Sequence, residues 1–114
     1  MHEASIAQSI LDIAIRECSR NGYERIERIK VEIGLLNSVH KDSLLFAFNA
    51  LKTNTIAESA QLDIEEKPVG GHCNDCERYF TTNDIFVFSC PLCGGMNFSI
   101  NQGRELNIIE MEVK

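Results

Sequence analysis

The chain has 114 residues, 44% of them hydrophobic and 25% charged, with a net charge of −6 and a pI of about 5.0, the balance of a globular protein of about one domain. The acidic surplus works against nucleic acid, because non-specific phosphate contact needs Lys and Arg to displace counterions. No apolar run approaches the roughly 20 residues of a membrane span, and no basic stretch leads into an apolar one at the start, so the expected location is the cytoplasm.

Ile6, Ile10, Leu11, Ile13, Ala14 and Cys18 recur at helical spacing and Asn21-Gly22 follows as a stop, which predicts a helix from about Glu3 to Arg20. The stretch RIKVEIG alternates Ile29, Val31 and Ile33 with Arg28, Lys30 and Glu32, the period of a half-buried strand ending at Gly34. A second helical pattern places Leu44, Leu45, Phe48 and Leu51 on one side, with Asp42 and Ser43 as starting signals. Leu62 and Ile64 then alternate with Asp63 and Glu65 until Pro68, giving a second strand. In the closing RELNIIEMEVK, Ile109, Met111 and Val113 keep one phase while Leu106 and Ile108 keep the other, so a third strand with a bulge or face switch near Ile108 is expected.

Between the second and third strands the composition changes. Residues 69–103 hold four of the five cysteines, five of the seven glycines and four of the six phenylalanines. Cys73-Asn-Asp-Cys76 and Cys90-Pro-Leu-Cys93, thirteen residues apart, have the spacing of a tetrahedral four-cysteine zinc site. Gly94-Gly95 follows the second pair, where the backbone must turn past the metal through a conformation that a Cβ hinders. A disulfide pair or a redox CxxC is the competing reading, and it fits a cytosolic chain with two matched motifs poorly. Four thiolates leave no open coordination position, so the zinc is expected to be structural. It would staple hairpins expected around Tyr79-Phe80 and Phe86-Val87-Phe88, which bury too little apolar surface alone. Cys18 lies on the apolar stripe of the first helix and reads as a small buried hydrophobe. His72, beside the first cysteine, reads as a solvated loop histidine, with tuning of the zinc or contact with a partner as its functional alternative.

The opening Met1-His2-Glu3 puts an imidazole where most chains carry a frayed tail. A free α-amine, the peptide nitrogen of residue 2 and the His2 Nδ1 can close consecutive five- and six-membered chelate rings on one ion. Planar nitrogen donors of this kind favour Ni(II) or Cu(II) over tetrahedral zinc. The set requires Met1 to be retained, and a bulky second residue discourages removal of the initiator. Amine and amide must lose protons to bind, so affinity should fall with pH. A merely solvated terminal histidine is the alternative.

These features together resemble the HypA/HybF family of nickel-insertion accessory proteins for NiFe hydrogenase maturation: Met1-His2-Glu3, the helix after it, the strand ending Ile33-Gly34, the SLLFAF of residues 43–48, the two CxxC pairs and the terminal strand. The resemblance covers essentially the whole chain. It implies an α+β fold in which two helices pack on a small three-stranded sheet to form a nickel domain, residues 1–68 with 104–114. A zinc-ribbon or rubredoxin-like zinc domain, residues 69–103, is inserted before the last strand. The family's nickel donors carry onto Met1 (amine), His2 (backbone nitrogen and imidazole) and Glu3 (backbone nitrogen, with the carboxylate as a further candidate), and its zinc ligands onto Cys73, Cys76, Cys90 and Cys93. No residue is asked to do catalysis.

The chain departs from some relatives in having Gly94 where they place a histidine after the second CxxC. It has His40 where some offer a carboxylate near the nickel site. His40 is therefore an additional candidate, as nickel donor or supporting contact, against the alternative of a surface loop histidine. The resemblance further implies a HypB-type GTPase, the hydrogenase large-subunit precursor and, in some bacteria, urease maturation proteins as partners. Short linkers at 68–71 and 102–103 would let the inserted module exchange between the protomers of a homodimer. Two other classes compete: a zinc-ribbon adaptor for nucleic acid or transcription partners, disfavoured by the acidic balance, and an enzyme using zinc-activated water, disfavoured by the four-thiolate set.

Overall fold

The computed structural model describes residues 2–114; Met1, a candidate nickel donor above, lies outside the described residues. The fold is α+β, and its contacts divide it into two compact units, Met1–Glu32, Val39–Glu65 and Asn107–Lys114 in the first, Ile33–Ser38 and Glu66–Leu106 in the second.

Helix α1 spans Glu3–Arg20 and buries Ala7, Ile10, Leu11, Ala14 and Cys18. Ile13, expected on that stripe, is 47% exposed. At 100° per residue it lies on the order of 120° from the centre of the buried face, and Ala7 fills the stripe instead. At the C-terminal end the Asn21 side-chain amide donates to the Glu17 carbonyl at 2.7 Å, the same oxygen that accepts from the Asn21 backbone N–H at 3.2 Å, so the capping residue holds the last turn twice. Strand β1, Ile26–Gly34, buries Ile26, Ile29, Val31 and Ile33. It is the central strand of a three-stranded sheet, flanked by β2, Gln61–Lys67, and β6, Leu106–Val113. Position in the middle explains why β1 carries the driest residues of the sheet.

The wet residues of β1 pair across the sheet. Arg28 reaches Asp63 on β2 and, at 3.1 Å, Glu112 on β6, while Lys30 lies 3.6 Å from Glu65. Such half-exposed pairs add little net energy, but they oppose a one-residue slip, which would turn these charges to the opposite face from their partners. In β6 the half-buried residues are Ile108, Met111 and Val113, with Leu106 and Ile109 exposed. The phase of burial thus changes between Ile108 and Met111, close to where the sequence pattern breaks.

Helix α2, Lys41–Leu51, packs against α1 and buries Leu44 and Phe48. It starts one residue earlier than Asp42 and Ser43 suggest, because its N-cap is His40, whose side chain accepts from the Ser43 N–H. Histidine is not among the usual capping residues, and here its ring takes the place of the usual Ser, Thr, Asp or Asn oxygen.

In the second unit, β3 (Val69–Cys73) is the centre of an antiparallel sheet between β4 (Tyr79–Thr82) and β5 (Phe98–Gln102). Gly71 faces Phe80 on one side and Ile100 on the other, with a register shift at Gly70/Gly71. Residues 33–38 join this unit through backbone bonds: the Gly34 N–H donates to the Glu105 carbonyl at 2.8 Å, and the Leu36 N–H to the Gly103 carbonyl at 2.9 Å. A Cβ on Gly34 would lie 2.0 Å from the Gly103 carbonyl group, so only glycine permits the approach. The unit is accordingly wider than the 69–103 segment marked by composition.

The hairpin expected around Phe86-Val87-Phe88 is not formed; these residues lie in irregular chain, with Phe86 68% and Phe88 77% exposed. Thr82 and Asp84 take the local donors instead: Thr82 Oγ1 accepts from the Asp84 N–H at 3.1 Å, and Asp84 Oδ1 from the Phe86 N–H at 2.9 Å. Side chain to backbone bonds of this kind replace a strand ladder with turns.

Candidate metal centre

The Sγ atoms of Cys73, Cys76, Cys90 and Cys93 all lie within 4.8 Å of one another, and among the described residues this is the one group of three or more His, Cys, Asp or Glu whose donor atoms converge. Cys73 and Cys93 are 3.6 Å apart and Cys76 and Cys90 3.9 Å, sulfur to sulfur. A tetrahedron with metal–sulfur bonds of about 2.3 Å has edges of about 3.8 Å. A disulfide would bring sulfurs to about 2.05 Å, and all the cysteines are free. The donor set therefore fits a tetrahedral thiolate metal.

Two matched turns build the cluster. In each, the first cysteine's N–H donates to the carbonyl five residues on, Cys73 to Arg78 at 3.0 Å and Cys90 to Gly95 at 2.8 Å. In each, the residue after the second cysteine is left-handed, Glu77 at φ 57° and Gly94 at φ 76°. The second turn has the glycine expected there; the first holds a glutamate in the same conformation. The Leu92 N–H points at Cys90 Sγ (3.4 Å) and the Gly95 N–H at Cys93 Sγ (3.3 Å), donors that favour thiolates. Beneath the cluster, Phe80 meets Phe98 edge to face with centroids 5.9 Å apart, and Cys73, Cys90, Val87 and Ile100 share that small core.

Electrostatics single out the same group. Desolvation pushes the Cys76 thiol up, but hydrogen bonds from Arg78 and the neighbouring thiols outweigh it and bring the group down to about 7. At Cys93 the Gly95 N–H favours ionisation, yet desolvation and the three other thiols hold it up at about 12. Crowded thiols cannot all ionise unless a cation neutralises them. Arg78 is a contributor that spacing alone did not reveal. His72, expected in a loop, instead lies half-buried on β3 with its ring tilted against that of Tyr79, its cross-strand partner on β4, at a centroid distance of 4.7 Å, and Cys18 is fully buried on α1 with its thiol pushed up by desolvation.

At the other end of the chain, His2 is the N-cap of α1: its carbonyl accepts from the Ile6 N–H at 3.0 Å, but its exposed side chain makes no capping bond. Glu3 is the first helical residue, and one of its carboxylate oxygens accepts from the His40 backbone N–H at 3.0 Å. That bond is the chief reason the Glu3 carboxyl sits below the usual value of 4.5. The fold thus joins Glu3 to His40, residues 37 positions apart in sequence.

The family model described as "Hydrogenase/urease nickel incorporation, metallochaperone, hypA" matches residues 1–113. The chain belongs to the HypA family. Hydrogenase maturation factor HypA of Lawsonia intracellularis is 38% identical over 118 residues, covering 100% of each chain, and that of Roseiflexus sp. (strain RS-1) 35% over 112 residues, 98% of this chain and 91% of the relative. The solution structure of the Ni metallochaperone HypA from Helicobacter pylori superposes with a TM-score of 0.70 at 29% identity, over 99% of this chain and 97% of that one. A second solution structure of a HypA protein gives 0.73, also at 29% identity, over 100% and 97%. By that membership the chain is one of the nickel-incorporation metallochaperones of hydrogenase maturation, with a four-cysteine metal-binding group and no helix long and apolar enough to cross a membrane among the described residues.

Proposed function

We propose that the chain carries one Ni(II) as cargo on the Met1 amine, the His2 peptide nitrogen and imidazole and the Glu3 peptide nitrogen, and delivers it to a hydrogenase large-subunit precursor. Cys73, Cys76, Cys90 and Cys93 hold a structural Zn(II), which supplies cross-linking and charge neutralisation and no chemistry on a substrate. The observation that carries the nickel assignment is the idle imidazole of His2, placed at a helix N-cap where Ser, Thr, Asp or Asn would add about 1 kcal/mol. A capping position held by a side chain that does not cap is free to serve another purpose. Membership of the HypA family supplies the metal.

Transfer follows from the same atoms. The amine and peptide nitrogens must be deprotonated to bind, so acid or a competing ligand set releases the ion. The protein acts in the cytoplasm with a HypB-type GTPase, and urease maturation proteins are a second group of partners consistent with the family description. It is not an enzyme. A homodimer can form by exchange of residues 69–103, since the connections at 68 and 103–105 are short.

The test is Ni(II) titration of zinc-loaded protein with its authentic N-terminus, read by absorption, beside His2→Ala and a form with one residue added before Met1. A one-to-one planar Ni(II) spectrum confined to the authentic chain is expected. Equal binding by all three would move nickel elsewhere.

A further inference from the structure

Two helices start against each other where the nickel donors lie. The Glu3 carboxylate, on the first residue of α1, accepts from the backbone N–H of His40 at 3.0 Å. His40 is itself the N-cap of α2, and its Nδ1 lies 3.1 Å from the Ser43 backbone nitrogen and 2.7 Å from Ser43 Oγ. A backbone N–H can only donate, so Nδ1 must accept and carries no proton. The neutral ring then bears its proton on Nε2, and neither nitrogen offers a lone pair to a metal while the cap stands: Nδ1 is occupied, Nε2 protonated.

Resting on the nickel site proposed above, we propose that His40 is a positioning residue for that site and not one of its ligands. Its imidazole fixes the start of α2. Its backbone N–H, held in place by that cap, grips Glu3 and thereby sets the start of α1, where His2 and Glu3 carry their donor nitrogens. Ser43 completes the device by supplying both hydrogen-bonding groups that hold the ring. Coordination through the imidazole would require breaking this cap, so nickel binding and the cap are served by different residues.

The experiment compares wild type, His40→Ala, His40→Asn and His2→Ala as zinc-loaded full-length chains with authentic N-termini, measuring Ni(II) affinity, the ligand-field absorption band and the thermal midpoint. Asparagine is among the preferred N-caps and has no imidazole. His40→Ala is expected to keep the absorption band but bind nickel about threefold to tenfold more weakly, the scale of a lost cap. His40→Asn is expected to recover affinity to within about twofold of wild type. Equal weakening in Ala and Asn would make the imidazole a ligand and overturn the proposal. An unchanged affinity in His40→Ala with only a lower thermal midpoint would reduce the residue to an ordinary cap and overturn it equally. His2→Ala separates the two levels: persistence of the band there rejects the terminal nickel site itself.

Discussion

The two cysteine turns differ by one residue that carries a measurable cost. Both place the position after the second cysteine in the left-handed region, Gly94 at φ 76° and Glu77 at φ 57°, where a Cβ costs on the order of 1 kcal/mol. Nothing lies within 4 Å of a Cβ built on Gly94, so Gly94→Ala is strained by conformation alone. It should weaken metal retention by about fivefold in a chelator competition. Glu77→Gly should leave retention unchanged or slightly improved, since the relief of strain offsets the added flexibility of the unfolded chain. At this scale the sequence was most readable where chemistry dictates spacing: the four cysteines announced themselves and do converge. Ser43 and Arg78 were not readable, because their roles depend on contacts with a histidine cap and a thiol that only the folded backbone creates.

Among the elements, the helices and the three strands of the first sheet were legible because each has one dry face of a regular period. The errors fall where that premise fails. Ile13 broke the stripe by lying on the wrong side of a helix, and the Phe86–Phe88 segment has strand-like residues but follows a turn in which Thr82 takes the Asp84 N–H and Asp84 takes the Phe86 N–H. The closing strand shows a further tie: the Lys114 carbonyl accepts from the N–H groups of Glu24 and Arg25, and the Lys114 ammonium lies 3.1 Å from the Glu27 carboxylate at the start of β1. Hydrogen bonding from Lys114 is the main cause that lowers the Glu27 carboxyl from 4.5. A carboxyl lowered on folding contributes stability above its unfolded value and loses it as pH falls through the folded one. Lys114→Met should therefore raise the Glu27 titration midpoint in an NMR pH series. The thermal midpoints of mutant and wild type should differ slightly at neutral pH and converge in acid below the carboxylate range.

For the molecule as a whole, two units with different sources of stability share one chain. The first has an apolar core of Leu11, Ile26, Ile29, Val31, Leu44 and Phe48; the second buries little apolar surface beyond Ile33, Val69, Phe80, Cys73 and Cys90. Chelating the metal should therefore open residues 66–106 to hydrogen exchange, and residues 33–38 with them, since their partners are Gly103 and Glu105. Protection in α1 and α2 and the far-ultraviolet helix signal should persist; their loss in parallel would mean one cooperative body. The register of the second sheet also bears on how the chain folds in time. Gly70 pairs with Gln102, so the chain enters and leaves the inserted stretch side by side. Left unfolded, the roughly forty residues between β2 and β6 would oppose completion of the first sheet by an entropy on the order of 3 kcal/mol. Once the cysteines have gathered their ion, that long loop behaves as a short one, and the last strand can find β1 without searching for it. An ion gathered early by the cysteines would in this way shorten the wait for the last strand.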